Sequence, residues 1–395
     1  MRFGETHQRR GYGVDRGERM RELVDDFRNG YLTRRGFLVK AGALGLTAAA
    51  AAGLLAAPRD PGIARAQDTP SVTPKEWKRG EGWGWIWGDQ DELGNLNELG
   101  PELTKKAMSY VKNGDVYDLG LMYKRSSYKF AGHNPGEIIS FRTPTGMLNQ
   151  NDLDFVRSEE DNSTNSTFAS NALFISDNVA TQIDSFGHFY EGDPPQTYNG
   201  FRYEDIQSDW GLLRLGADTI PPIVAPATMI DVAKSQGKDP LGESFAIGQE
   251  ELEQALDDQG VNIDPLDVVL VRTGTAGVWM EGNGVGANEE EMTKADSAGL
   301  TLSAARWLVE EKGALAVGCD TSGIEVLPPT EQLDDGTSFN PVHVYLLVRQ
   351  GVHILEYQNQ EGLAKDEVYK FAYVLGVNKI QGTAAGTALR PIGIA

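Results

Sequence analysis

Short apolar runs alternate with amphipathic segments along the second half of this 395-residue chain, and this alternation constrains its fold more than any other feature. The run PPIVAPATMIDVA (221–233) begins with two prolines, and its length and composition favour a buried strand. In IGQEELEQALDDQG (247–260), Leu252 and Leu256 share one helical face, and Gly260 marks the end of the helix. The further predicted strands are 266–274, 314–323 and 352–357, and the further predicted helices are 300–313 and 342–351. Strands that alternate with helices predict an α/β fold in which at least some strands are parallel.

The first half of the chain suggests a helix, a strand and a long polar segment. Pro101 begins a predicted helix that stops at Gly114, because proline is favoured in the first turn and glycine after the last one. The next segment, DVYDLGLMY (115–123), alternates as a strand does. Residues 123–170 are rich in Ser, Asn, Gly and Pro, which predicts long loops that form a lid or an oligomer arm. Residues 81–395 contain no internal repeat, so we expect a single domain there.

Residues 1–66 have the layout of a twin-arginine secretion signal. Arg34 and Arg35 precede an apolar, alanine-rich run, and small residues near Ala66 suit a cleavage site. A transmembrane anchor is the alternative, but glycines interrupt the run and no basic flank closes it. We therefore expect a cleaved signal, a polar linker at 67–80, and export to the periplasm or out of the cell.

The charge balance and the cysteine content exclude several partners. Twelve of the 36 basic and seven of the 57 acidic residues lie in residues 1–66, so the remainder carries a formal net charge of −26, against −21 for the whole chain. Such a surface repels nucleic acid and anionic lipid, so we expect neither nucleic acid nor membrane as a partner after signal cleavage. The single cysteine, Cys319, lies in an apolar run and is expected to be a buried thiol, neither a disulfide partner nor a metal ligand.

Polar side chains of the kinds that bind metals stand where predicted apolar elements end. Gln182 and Asp184 are two residues apart, so in extended chain they point to the same side, and His188 follows after a turn. His343 comes after a proline near a predicted helix start, and Glu356 ends a predicted strand. Carboxylates and imidazoles together suit zinc or manganese.

Each of these residues also has an ordinary structural explanation. An aspartate in a turn more often caps the backbone than binds a metal. A lone histidine is more often packed or on the surface, which is what we expect of His133 and His353. Glu356 taken alone would be a surface glutamate at a strand end. The spacing by itself therefore leaves a metal site and a structural role both open.

The stretch from Asn178 to His188, NVATQIDSFGH, aligns with the signature His-x-Gly-Thr-His-x-Asp-x-Pro-x-His. Here the chain resembles the metal-dependent cyclase family of hydrolases, which includes bacterial kynurenine formamidase and isatin hydrolase. The likeness extends over residues 80–395, in the family's order, through WGDQDELGNLNELGPE, DVVLVRTG, AVGCDTSGIEVLP, VHVYLLVRQGVHILEYQNQEGL and GTAAGTALRPIGIA. The resemblance implies a kynurenine formamidase-like fold, with a mixed β-sheet core and flanking helices in a single catalytic domain, and a homodimer or homotetramer.

The resemblance also implies roles for individual residues. His188 would act as acid and base, and the metal would be bound at the positions of Asn178, Gln182, Asp184, His343 and Glu356. Asn178 and Gln182 stand where the family has histidines, and amide oxygens bind zinc and manganese more weakly than imidazole does. We therefore expect one metal, Zn or Mn, on the two carboxylates and His343, with Gln182 in support. Three protein ligands still leave a position for water.

These residues predict an exported metal-dependent hydrolase that acts on a small molecule. Water made acidic by the metal would attack a polarised carbonyl, and His188 would pass the proton to the leaving group. Gln at the second ligand position resembles the dienelactone-hydrolase-like branch, which favours a lactone over a lactam or an N-acyl amide. Arg272 is a candidate oxyanion donor, and Asn178 is a candidate substrate contact. Trp85 and Trp87 are a candidate wall for a cyclic substrate, or else core or dimer contacts.

Two other functions stay open on the sequence. The first is a metal-depleted protein that binds a small molecule without turnover, which the asparagine at position 178 favours. The presence together of Asp184, His188, His343 and Glu356 argues against it. The second is dehydration or cyclisation that uses the same acid/base histidine.

Overall fold

A computed structural model describes residues 86–150, 152–280 and 289–395. The predicted signal (1–66) and linker (67–80) lie outside the described residues, as does Trp85. Among the helices of the described part, none has the length and apolar character that crossing a membrane requires.

The strands of the described residues are numbered in chain order. They are β1 Val116–Asp118, β2 Gly136–Arg142, β3 Ser170–Ile175, β4 Gln182–Asp184, β5 Gln207–Ser208, β6 Gly211–Leu212, β7 Ile223–Asp231, β8 Ala246–Ile247, β9 Val268–Arg272, β10 Gly299–Leu300, β11 Ala316–Cys319, β12 Ile354–Glu356, β13 Lys370–Leu375, β14 Ala385–Gly386 and β15 Ile392–Ile394.

The helices are mostly short. The α-helices are Pro101–Met108, Pro144–Gln150, Asp154–Arg157, Tyr203–Ile206, Val232–Ser235, Gln249–Gln259, Thr275–Met280, Glu289–Ala295, Leu302–Arg306, Pro341–His343 and Glu361–Lys365. Two of them continue as π-helical turns, Trp307–Glu311 and Val344–Gln350. The 3-10 turns are Gly94–Glu98, Phe186–His188, Tyr198–Gly200 and Ala217–Thr219.

Within the described residues, nine strands form one mixed sheet in the order β1-β15-β13-β7-β9-β11-β12-β4-β14. The four central strands, β7, β9, β11 and β12, are parallel to one another. Antiparallel strands extend the sheet on both sides, with β13 next to β7 and β4 next to β12. The predicted mixed sheet with flanking helices is therefore confirmed.

The strand and helix predictions in the second half agree with the structure. The apolar run at 221–233 forms β7, and the amphipathic segment at 247–260 forms helix Gln249–Gln259, which ends at Gly260 in a left-handed conformation (φ 64°). The helix that begins at Pro101 is shorter than predicted. It ends at Met108, and a turn follows before Gly114. The π-helical turns were not predicted, since the apolar periodicity of 300–313 and 342–351 suits an α-helix equally well.

The two faces of the sheet bury separate cores. Along β9, Val269 and Val271 pack into the core under the helices of the second half, whereas Leu270 faces the opposite core with Ile183 and Leu355. Since side chains alternate along a strand, the neighbours of Ile183 and Leu355 must point toward the helix-covered face. Those neighbours include the predicted metal ligands of β4 and β12.

The segment at 123–170 is more ordered than we expected. It contains two short helices and β2, which pairs with β3 to form an antiparallel ribbon outside the main sheet. The expectation of long irregular loops was therefore wrong. The cause is visible in GEIISFR and SNALFI, where residues that favour strands, such as isoleucine and phenylalanine, cluster beside residues that favour turns.

Candidate metal site

The register between β4 and β12 brings three predicted ligands together. Glu356 lies opposite Gln182 in the antiparallel ladder, and Asp184 follows two residues later on the same face. The Nε2 of Gln182 donates a hydrogen bond to Oε2 of Glu356 at 2.6 Å and lies 3.3 Å from Oδ1 of Asp184. All three side chains are buried. Asn178 joins the same network, because its Oδ1 accepts from Gln182 at 3.2 Å.

His343 faces these side chains from the first turn of the helix that begins at Pro341. Its Nε2 lies 3.4 Å from Oε1 of Glu356 and 3.9 Å from Oδ2 of Asp184. On the other side of the ring, Nδ1 lies 2.6 Å from Oε1 of Glu325, a buried carboxylate that also accepts the backbone N–H of His343. Donation from Nδ1 to Glu325 leaves the lone pair of Nε2 directed at the two other carboxylates.

Three buried oxygens in this cluster accept no hydrogen bond from any described residue. They are Oε1 of Gln182, Oδ2 of Asp184 and Oε1 of Glu356. Leaving a buried carboxylate oxygen without a partner is costly, so buried charges in proteins are paired or coordinate metals. Carboxylate, amide and imidazole donors together form a set that suits zinc or manganese. The residues present therefore fit a divalent metal.

The pKa shifts in the cluster also suit a bound cation. Burial, together with the nearby charge of Asp184, raises the pKa of Glu356 well above its usual value. Burial lowers the pKa of His343, but the hydrogen bond with Glu325 and the nearby carboxylate of Glu356 outweigh it and raise that pKa to about 10. Both shifts arise because carboxylates crowd one buried space, and a divalent cation would neutralise them.

His188 stands at the more open side of the cluster. It ends the 3-10 turn Phe186–His188, is only partly buried, and its ring centroid lies 6.3 Å from that of His343. Ligand atoms of Asp184, His188 and His343 all lie within 4.8 Å of one another, so these three residues could also hold a metal. The position suits contact with a substrate or with water, and the acid/base role of His188 stays a prediction.

Arg272 does not have the surroundings expected of an oxyanion donor. Its buried guanidinium is held by carboxylates of Asp231 at 2.9 Å, Asp239 at 2.7 Å and Glu361 at 2.8 Å. All three of its nitrogens are engaged in these bonds. We therefore interpret Arg272 as the centre of a structural ion network. Trp87 is partly buried, and the structure gives no indication of a substrate-binding role for it.

The sequence did not predict the contacts that two side chains of this region make with the site. Glu325 holds His343, yet no local pattern marks it, because the two residues are 18 positions apart in an irregular segment. His133 was expected to be packed or on the surface, but it is partly buried and its ring lies 6.4 Å from that of His188. His353 is packed as expected, since it stacks on Phe186 at 4.1 Å.

Comparisons with known proteins agree with this architecture. The family model named Cyclase matches residues 92–326, more than half of the chain. A solved structure described as a novel cyclase is similar with a TM-score of 0.67 and 24% identity, covering 80% of this chain and 98% of that one. Isatin hydrolase A from Ralstonia solanacearum gives a TM-score of 0.46 and 16% identity, covering 71% of this chain and 92% of that one. Isatin hydrolase A from Labrenzia aggregata, bound to benzyl benzoate, gives 0.43 and 17%, covering 71% and 93%. No curated protein matches the sequence.

Proposed function

Since the chain belongs to the cyclase family, we propose that it is a metal-dependent hydrolase that opens a small cyclic ester or amide, or cleaves an N-acyl amide. One observation carries the proposal, namely the three buried oxygens without partners on Gln182, Asp184 and Glu356. Those of Glu356 and Asp184 lie 3.4 and 3.9 Å from Nε2 of His343. A purely structural cluster would have paired these atoms.

The residues that would hold the metal are Asp184, His343 and Glu356, with Gln182 completing the set. The chemistry that zinc or manganese supplies in such a place is Lewis acidity, which lowers the pKa of water and polarises a carbonyl. The chain's own contribution is orientation. Glu325 fixes the tautomer of His343, and the hydrogen bond from Gln182 fixes Glu356.

His188 performs the proton transfers in this proposal. Its ring is partly exposed beside the buried carboxylates, so it can accept a proton from the attacking water and return one to the leaving alkoxide or amine. The glutamine at position 182 favours a lactone as the substrate, as the family resemblance implies.

Elemental analysis of the purified protein tests the proposal. We expect about one zinc or manganese per chain, its loss in Asp184→Asn, and its retention in Asp209→Asn, which changes an exposed aspartate. Metal-loaded wild-type protein should then hydrolyse members of a panel of lactones, lactams and N-acyl amides. A chain that takes up neither metal would contradict the hydrolase and would favour the metal-depleted small-molecule binding protein.

We also propose that the protein assembles as a homodimer or homotetramer through the β2–β3 ribbon. Ile139, Phe141, Leu173 and Phe174 of this ribbon are each more than half exposed. A two-stranded ribbon with exposed apolar side chains is marginally stable alone, and burial of those side chains by another subunit stabilises it. Light scattering should show dissociation of Phe141→Ser/Phe174→Ser, whereas Trp210→Ser, another exposed aromatic, should leave the oligomer intact. An unchanged mass of the double variant would contradict this interface.

Export by the twin-arginine pathway is the remaining proposal, and it rests on the sequence of residues 1–66 alone. Replacing Arg34 and Arg35 by lysine should keep the protein in the cytoplasm, whereas Arg9→Lys should not. Cell fractionation measures the result, and export of the double variant would contradict the proposal.

A further inference from the structure

His133 brings a second imidazole to the open side of the candidate metal site. It lies in the loop that leads into β2, and its ring centroid is 6.4 Å from that of His188 and 6.2 Å from that of Phe130. The His188 ring also lies 6.1 Å from Phe189. Rings from two separate segments of the chain therefore surround the place where a substrate would meet His188.

The groups that act electrostatically on His133 belong largely to the candidate metal site. Burial lowers the pKa of His133, the neighbouring His188 and His343 lower it further, and the carboxylates of Asp184 and Asp177 oppose them. Three of these four neighbours belong to the candidate metal site. An imidazole ring offers an N–H donor and, in its neutral form, a nitrogen acceptor.

We propose that His133 is a substrate-binding residue, whose imidazole forms a hydrogen bond with a second polar group of the substrate next to the carbonyl that faces His188. The inference rests on the proposed function only in placing the scissile carbonyl at the metal site. It makes the substrate a compound with two hydrogen-bonding groups in one small ring, such as a cyclic imide. A lactone or lactam meets this requirement when its ring carries a second polar group.

Arg272 and Arg349 do not compete with His133 for a substrate group, because carboxylates already hold both. Arg272 is held by the ion network described above, and Arg349 by Glu191 at 2.6 Å and Asp335 at 3.0 Å.

Two matched probes test the inference. N-methylphthalimide carries two ring carbonyls, and N-methylisoindolinone has a methylene in place of one of them. Titration calorimetry on the zinc-loaded protein measures the affinity for each, with elemental analysis of zinc and chromatography of ring-opened product on the same samples. We expect wild-type protein to bind the imide about three- to tenfold more tightly, the worth of one hydrogen bond.

His133→Ala should bind both probes equally, and His133→Gln, which keeps a donor and an acceptor, should recover the preference. Ser126→Ala, an exposed change in the same loop, should behave as wild type. A preference that survives in His133→Ala overturns the inference, as does loss of zinc from that variant or a wild-type protein without preference. Preference for the imide without ring opening would leave His133 as a binding residue and would count against the proposed hydrolysis alone.

Discussion

Replacement of Glu325 by glutamine should weaken metal binding although Glu325 itself is not a ligand. Its Oε1 accepts the Nδ1–H of His343 at 2.6 Å and the backbone N–H of His343 at 3.1 Å, and its Oε2 accepts the backbone N–H of Val342 at 3.1 Å. Glutamine has one acceptor oxygen in place of two, so its amide N–H must face one of these donors. The change also removes the negative charge that makes the ring a better ligand.

Loss of such a partner of a ligating histidine costs about 10- to 100-fold in metal affinity. This corresponds to about 1.4–2.7 kcal/mol of binding free energy. The hydrogen bond with Glu325 also raises the pKa of His343, so in the wild type a proton competes with the metal at neutral pH. The loss of affinity in Glu325→Gln should therefore be larger at pH 9 than at pH 7.

Zinc titration against a chromophoric chelator measures both values. Glu102→Gln is the matched control, because Glu102 is exposed and pairs only with Lys105 at 2.6 Å on the surface. Circular dichroism should show that Glu325→Gln remains folded. A folded Glu325→Gln protein that binds zinc within about twofold of the wild type at both pH values would refute the orienting role of this carboxylate.

Three further changes have expected outcomes. Gln182→His should tighten zinc binding about tenfold by chelator competition, because imidazole is the stronger ligand; weaker binding would contradict the placement of Gln182 at the metal. Arg272→Ala should lower the free energy of unfolding by about 3–5 kcal/mol in urea, because it leaves the buried Asp231 charge unpaired, while the zinc content stays unchanged. Burial raises the pKa of Asp296 to about 6, so the folded state binds the proton more tightly than the unfolded one. Stability should fall by about 3 kcal/mol as pH rises from about 4 to about 6, and this slope should be absent in Asp296→Asn.

The central strands of the sheet were predictable because each carries its own local signal. The runs that form β7, β9 and β11 are short and apolar, and turn-forming residues follow them. Such runs indicate buried strands whatever their position in the chain. The ribbon of β2 and β3 was missed because its side chains are largely exposed, so its alternation was weaker than the turn-rich composition around it.

Local spacing also determined part of the candidate site. Two positions in an extended segment share a face, which is why Gln182 and Asp184 lie side by side in β4. The family resemblance of VHVYLLVRQGVHILEYQNQEGL then identified His343 and Glu356 as their partners, and not any contact that the sequence displays. Their separation in the sequence did not indicate this contact, since Gln182 and Glu356 are 174 residues apart.

The sequence by itself therefore determined the central strands, several of the helices between them, and which side chains are able to bind a metal. Only the tertiary structure decided what each of those side chains contacts. It joined Glu325 to His343, brought His133 to His188, and surrounded Arg272 with three carboxylates. The physical reason is that periodicity reports the burial of a face, whereas the partner of a buried polar group depends on strand register and loop path, which no local pattern records.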